Sequence, residues 1–201
     1  MDILPLPAAA PPQPEAEAPL AAVLRAAVFA GRVHAGHRRK GSAQEPYVNH
    51  VLEVAMILAT HAAPPEAVIA ALLHDTVEDS DADPEPTTLE HIAEGFGAEV
   101  AGIVAEVSDD KALPKETRKA LQVRDAPKKS AAAKGVKLAD KISNLRAIAA
   151  SPPAGWDHGR RVEYVGWAGR VAAGLKGVNP ALDALFERTY RDAVRALAEE
   201  S

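Results

Sequence analysis

The chain has 201 residues, 28 acidic against 23 basic for a formal net charge of −5, with 47% hydrophobic residues, 4% aromatic residues and no cysteine. That length suits one globular domain with a sizeable core and leaves no room for a second catalytic domain. The absence of Cys excludes thiol nucleophiles, disulfide scaffolds and thiolate metal sites, so any metal must be held by His, Asp, Glu or amide oxygen. The acidic balance argues against a general nucleic-acid coat, and the lack of a long unbroken apolar run argues against a membrane span. Residues 1–18 carry Pro5, Pro7, Pro11, Pro12 and Pro14 beside Glu15 and Glu17. They read as a disordered Pro/Ala-rich tail ahead of one domain at 19–201. With no basic residue before Arg25 the N-terminus lacks a signal-peptide pattern, which predicts a cytoplasmic protein.

From Pro19 onward apolar residues recur at three and four rather than at two, which predicts an all-α domain of eight or nine helices. Leu20, Val23, Leu24, Ala27 and Val28 share one face of a first helix ending at Gly36. A loop, HRRKGSAQEP, leads to a second helix from about Tyr47 to His61, and Pro64 and Pro65 open a third that reaches Thr76. That third helix carries Asp75, Glu78 and Asp79 at its C-terminal end, where the helix dipole disfavours carboxylates unless something positive sits there. Thr87 and Glu90 predict a capping box for a short helix, followed by one at Ala98–Ser108. Pro114 starts another, Lys128–Ala150 forms a long one that Gly135 could divide, and helices at Trp156–Leu175 and Pro180–Ala198 finish the chain.

Three of these helices place a polar group beside their apolar stripe. His50 lies among Val48, Val51, Leu52, Val54 and Ala55; His74 and Asp75 end the third helix; Asp140 sits within VKLADKISNLRAI, with Asn144 one turn further on the same face. Each alone reads as a core histidine or a polar helix end, but a buried unpaired carboxylate is expensive, so together they suggest convergence on one point. Two imidazoles and two carboxylates make a mixed nitrogen and oxygen site suited to manganese, iron or another borderline divalent ion. Glu78 follows His74, and Asp79 follows Asp75, by four residues, which places both where they can take a proton from an activated water. Arg39 and Lys40 precede His50 in a loop and could grip phosphate. Lys111, Arg118, Lys119, Lys128 and Lys129 read as helix-surface charge, and Trp156 and Trp167 as core.

The motifs RRKGSAQEPYVNH, ALLHDTVED, the FG of EGFGAEV, and VKLADKISNLR, in that order, resemble the RelA/SpoT-type alarmone hydrolases of the HD superfamily, over nearly all of residues 20–195. VSDDKALPKETRKALQ, GWDHGRRVEY and GLKGVNPAL are similar to its single-domain branch, which comprises metazoan SpoT homologs and bacterial small alarmone hydrolases. The resemblance implies an HD-domain helical bundle and one manganese ion per chain on His50, His74, Asp75 and Asp140. It implies Glu78 and Asp79 as the catalytic acidic pair with Asn144 beside them, and Arg39, Lys40, Lys115, Arg160 and Tyr164 lining the nucleotide pocket. The reaction implied is removal of the 3′-pyrophosphate of guanosine tetra- or pentaphosphate, with a small-molecule nucleotide as the partner and neither nucleic acid nor membrane. Val51 departs from the Pro common after the first metal histidine, a change of backbone stiffness that touches no ligand. Other readings are an HD phosphohydrolase for a different ribose phosphate, such as the 2′-phosphate of NADPH or a nucleoside monophosphate, a nucleotide sensor without turnover, and a helical interaction module.

Overall fold

In a computed structural model, which describes residues 18–80 and 85–200, the chain is all-α. Helix α8 (Ala131–Ala150) is the element the others gather around. Its apolar residues Val136, Leu138, Ala139, Ile142, Leu145 and Ile148 point to more than one side, so one stripe of neighbours could not cover it. Helices α2 (Val48–Thr60), α3 (Pro65–Leu73), α6 (Ala98–Val107), α9 (His158–Leu175) and α10 (Pro180–Glu199) all pack on it. Gly135 does not divide it; the residue is buried where α8 faces α2, and a Cβ there would meet Leu58 at 3.5 Å, an ordinary packing contact. Burial of Leu58, Leu72, Leu138, Ile142 and Leu145 contributes about 1.5–3 kcal/mol per side chain.

The remaining helices are α1 (Pro19–Val33), the single turn α4 (Thr76–Asp79), α5 (Leu89–Phe96) and α7 (Lys115–Asp125), with a 3-10 turn at Ala126–Lys128. Among the described residues nine helices run eight residues or longer and there is no strand, only the isolated bridges Arg38 to Pro46 and Gly41 to Pro153. None of these helices is long and apolar enough to cross a membrane. The expected tail lies outside the described residues except for Ala18, which caps α1.

Several boundaries differ from those the sequence suggests. The first helix stops at Val33 and not at Gly36, with the backbone N–H of His34 closing on Ala30. The capping box belongs to Thr88 and His91, not to Thr87 and Glu90: Thr88 Oγ accepts from His91 N–H while the His91 ring accepts from Thr88 N–H. Thr87 is instead buried, its N–H donating to Ser80 Oγ at 2.7 Å. Pro127 sits in the 3-10 turn, so α8 starts only at Ala131, where the Ser130 side chain accepts from Ala133 N–H. Likewise α9 starts at His158, capped by Asp157, so Trp156 belongs to the linker ahead of it.

The most consequential difference concerns the acidic cluster. Helix α3 ends at Leu73, because Thr76 Oγ1 donates to the Leu73 carbonyl at 2.7 Å and the chain turns through His74 and Asp75 into α4. Glu78 and Asp79 therefore lie in the first turn of a new helix, the end at which a dipole favours carboxylates. The predicted conflict is removed by the break.

The basic loop between α1 and α2 is clasped to the linker between α8 and α9. Ala43 N–H donates to Ser151 Oγ at 3.3 Å and Ala154 N–H to the Lys40 carbonyl at 3.2 Å. A Cβ on Gly41 would sit 2.5 Å from the Ser151 carbonyl oxygen, closer than side chains are found, so this clasp needs glycine. Gly41→Ala is expected to cost about 1–3 kcal/mol as an overpacking change, read as a lower urea midpoint. An unchanged midpoint would mean the loop is not held at Ser151.

Candidate active site

His50, on the first turn of α2, His74 and Asp75, in the break after α3, and Asp140, midway along α8, meet at one buried point. His50 Nε2 lies 3.3 Å from Asp140 Oδ1 and 3.7 Å from Asp75 Oδ2; His74 Nε2 lies 3.0 Å from Asp75 Oδ2 and 3.9 Å from Asp140 Oδ1. His50, His74 and Asp140 are buried together in a metal-binding arrangement.

The outer nitrogen of each ring is committed. His74 Nδ1 is 2.8 Å from the Ala71 carbonyl, which only accepts, so Nδ1 carries the proton. His50 Nδ1 is 2.9 Å from Ser143 Oγ, whose own proton goes to Glu53 Oε2 at 2.6 Å, so the hydroxyl accepts from His50. In the neutral rings both Nε2 atoms are therefore bare and face carboxylates. In the neutral ring His74 Nε2 is buried 3.0 Å from Asp75 Oδ2 with no proton to donate to it. Lone pairs converging in this way fit a cation, and the donor set of two imidazoles and two carboxylates fits a divalent ion of the borderline class.

Charge around this point follows the same logic. Burial opposes charging of His74, yet the facing carboxylates of Asp75 and Asp140 hold its pKa up at about 9. Burial would raise Asp75 and Asp140, but His74 holds Asp75 below the usual carboxylate range, and Lys141, whose Nζ is 2.9 Å from Asp140 Oδ2, does the same for Asp140. Tyr47 donates to Asp75 Oδ2 at 2.6 Å, and burial beside that carboxylate pushes the phenol well above its ordinary pKa. Asn144 donates to Asp140 Oδ1 at 2.6 Å and accepts from Arg39 at 3.2 Å.

Glu78 and Asp79 flank the cluster on α4. Glu78 Oε1 accepts from the Asp109 backbone N–H at 2.9 Å, and burial raises its pKa. Burial and then Asp75 raise Asp79, whose Oδ1 is 3.6 Å from Lys111 Nζ. Lys111, which the sequence assigns to surface charge, also donates to the Glu78 carbonyl and so ties the loop after α6 to both acids.

Beside the cluster opens a cavity of about 640 Å³ lined by Arg39, Lys40, Lys115, Arg160 and Tyr164, and by His50 and Asn144. All five positions that the resemblance assigns to a nucleotide pocket thus share one cavity. So do residues the sequence left on the surface or in the core: Arg118, Lys119, Trp156 and Trp167, together with Arg146. Trp156, Tyr164 and Trp167 form a continuous aromatic wall with ring centroids 5.4 and 5.3 Å apart, and the Arg160 guanidinium lies 4.4 Å over Trp156. The sequence carried no signal for Lys119 and Trp167 as cavity residues, because they meet only through the packing of α7 on α9, where Trp167 Nε1 donates to the Lys119 carbonyl at 3.1 Å.

The HD domain family model matches residues 26–164, and the chain belongs to that family. Within it, a guanosine-3′,5′-bis(diphosphate) 3′-pyrophosphohydrolase of the MESH1 type from Homo sapiens is 47% identical over 173 residues, covering 85% of this chain and 94% of the relative. The Drosophila melanogaster protein of the same name is 41% identical, covering 86% and 95%. A solved structure described as a metazoan ortholog of SpoT that hydrolyzes ppGpp matches with TM-score 0.80 and 40% identity, covering 88% of this chain and 97% of that one.

Since the raised pKa of His74 means the ring holds a proton below about pH 9, an incoming ion must displace it. Affinity for a divalent ion should therefore weaken as pH falls, by up to about a hundredfold between pH about 8.5 and about 6.5 for one displaced proton. Calorimetric titration across that range checks this, and a flat profile would contradict it.

Proposed function

We propose that this protein hydrolyses guanosine tetra- or pentaphosphate to pyrophosphate and GDP or GTP. The observation that carries the reading is the junction of the His50, His74, Asp75 and Asp140 cluster with a basic, aromatic-walled cavity; the names of the relatives support the substrate.

His50, His74, Asp75 and Asp140 would hold one manganese ion. When bound, such an ion supplies Lewis-acid polarisation of the phosphate and of the attacking water. Ser143 and the Ala71 carbonyl fix the tautomers of His50 and His74 so that Nε2 faces inward. Asn144 aligns Asp140 and, through Arg39, links that ligand to the phosphate-binding loop. Lys40, Lys115 and Arg160 neutralise the polyphosphate, and Tyr164 with its tryptophan neighbours offers a stacking surface for the base.

In the chemical step the water oxygen bonds to the phosphorus next to the ribose 3′-oxygen, that ester bond breaks, and the 3′-oxygen takes up a proton. Glu78 accepts the proton of the water; burial lifts its pKa above that of an exposed glutamate and makes it the stronger base. Asp79, one residue on and beside Lys111, completes the acidic pair.

Purified protein with manganese should convert guanosine tetraphosphate to GDP and pyrophosphate, resolved by anion-exchange chromatography, and a chelator should stop it. Loss of the 2′-phosphate from NADPH, with guanosine tetraphosphate untouched, would replace this reading with that of another HD phosphohydrolase. Glu78→Gln should keep fold and metal yet lose about 10²- to 10⁴-fold in kcat; activity within about threefold of wild type would deny Glu78 a proton-transfer role. Lys40→Ala should raise KM by about tenfold with kcat little changed, the signature of binding shared by ground and transition states, and an unchanged KM would return Lys40 to the solvated surface.

A further inference from the structure

A second group of potential ligands lies next to the cluster just described and takes no part in it. His34 follows the last turn of α1 and His37 comes one turn later, with His37 N–H bonded to the His34 carbonyl at 3.1 Å, so both rings leave the chain on the same side. Their Nδ1 atoms are 3.1 Å apart. A nitrogen from each ring and a carboxylate oxygen of Asp79, brought in by α4, lie within 4.8 Å of one another. The ring of Tyr47 contacts both groups, with centroids 4.9 Å from His34 and 5.4 Å from His50.

The two facing imidazole nitrogens need an explanation. With no ion they must share one proton in a single N–H to N bond, in a place from which His34, at 1% exposed, cannot turn out to water. Burial keeps the ring from gaining a second proton: it lowers the His34 pKa to about 4. Two imidazole nitrogens bound at the usual 2.0–2.1 Å to one tetrahedral ion stand about 3.3 Å apart, close to the 3.1 Å seen. The last carbonyls of α1 also present the negative end of a helix dipole to this point, which favours a cation.

We propose that His34, His37 and Asp79 form a second cation site, for a borderline divalent ion such as Zn²⁺ or Co²⁺. Three ligands from two imidazoles and one carboxylate leave a fourth position open to water, and the nitrogen content selects against calcium and magnesium. Because Asp79 is the third ligand, filling the site withdraws that carboxylate from the acidic pair and should repress turnover. This consequence rests on the role given to Asp79 above; the binding itself does not.

The test is equilibrium dialysis of the full-length protein against buffered Zn²⁺. Wild type should retain two equivalents, His37→Gln one, and Asp140→Asn one. His37 is partly exposed and outside the proposed catalytic and phosphate-binding groups, so its replacement leaves the fold and the first ion in place; His34, being buried, is not the variant to use. One equivalent in wild type, or two in His37→Gln, would overturn the second site. Two equivalents in Asp140→Asn would instead count against the first site, so the two readings fail separately. Zinc beyond the first equivalent should inhibit wild type and not His37→Gln; inhibition equal in both would sever the link to Asp79.

Discussion

Two histidines whose outer nitrogens are already spent, and whose inner nitrogens face two carboxylates, impose the constraint on which the rest of this structure depends. Ala71 and Ser143 are acceptors for His74 and His50, and that leaves the bare Nε2 atoms and the oxygens of Asp75 and Asp140 pointing at one another in a largely buried region. Such an arrangement is unfavourable in isolation. It is tolerated because a proton on His74 or a divalent ion supplies the missing positive charge, and the second choice satisfies all four groups at once. The break between α3 and α4, Lys141 beside Asp140 and the hydrogen bond from Tyr47 all lower the cost of keeping these carboxylates charged.

Separation of charge is the second organising feature. The chain is acidic overall, with a net charge of −5, yet arginines and lysines gather along one cavity whose inner end reaches His50 and Asn144. A polyphosphate can lie along that basic floor with its reacting end at the buried cluster, while the aromatic wall of Trp156, Tyr164 and Trp167 accommodates a base. Arg39 joins the two regions through Asn144 and Asp140. On the proposed reading, phosphate binding and ligand alignment are mechanically connected, since Arg39 reaches the Asp140 carboxylate through two hydrogen bonds.

That His50 and Asp140 would meet was legible in the sequence because each sits on a helix whose apolar stripe is unambiguous: His50 between Val48 and Val54, Asp140 between Val136 and Ile142. A polar residue embedded in such a stripe has to be paired, and only a shared partner serves several at once. Lys111 and Lys119 were less legible, because a charged residue on an amphipathic helix or in a loop looks the same whether its neighbour is water or another helix. The roles of Glu53 and Ser143 were hidden for a related reason. Their contact spans 90 positions of the chain and depends on the packing angle between α2 and α8. Thr87 misled because Thr87 with Glu90 fits the capping pattern while Thr88 with His91 does not, and the Thr87 backbone is instead held by the buried Ser80 hydroxyl.

X-ray absorption at the manganese edge of the metal-loaded protein tests the central constraint most directly, because it reads the donor atoms and not the activity. The account predicts a first shell containing two imidazole nitrogens, identifiable by the multiple scattering of their rings, together with carboxylate oxygens, and one imidazole fewer in His74→Gln. A shell made only of oxygen, or one unchanged in that variant, would show that the ion sits elsewhere and that the facing nitrogens and carboxylates are held by protons alone.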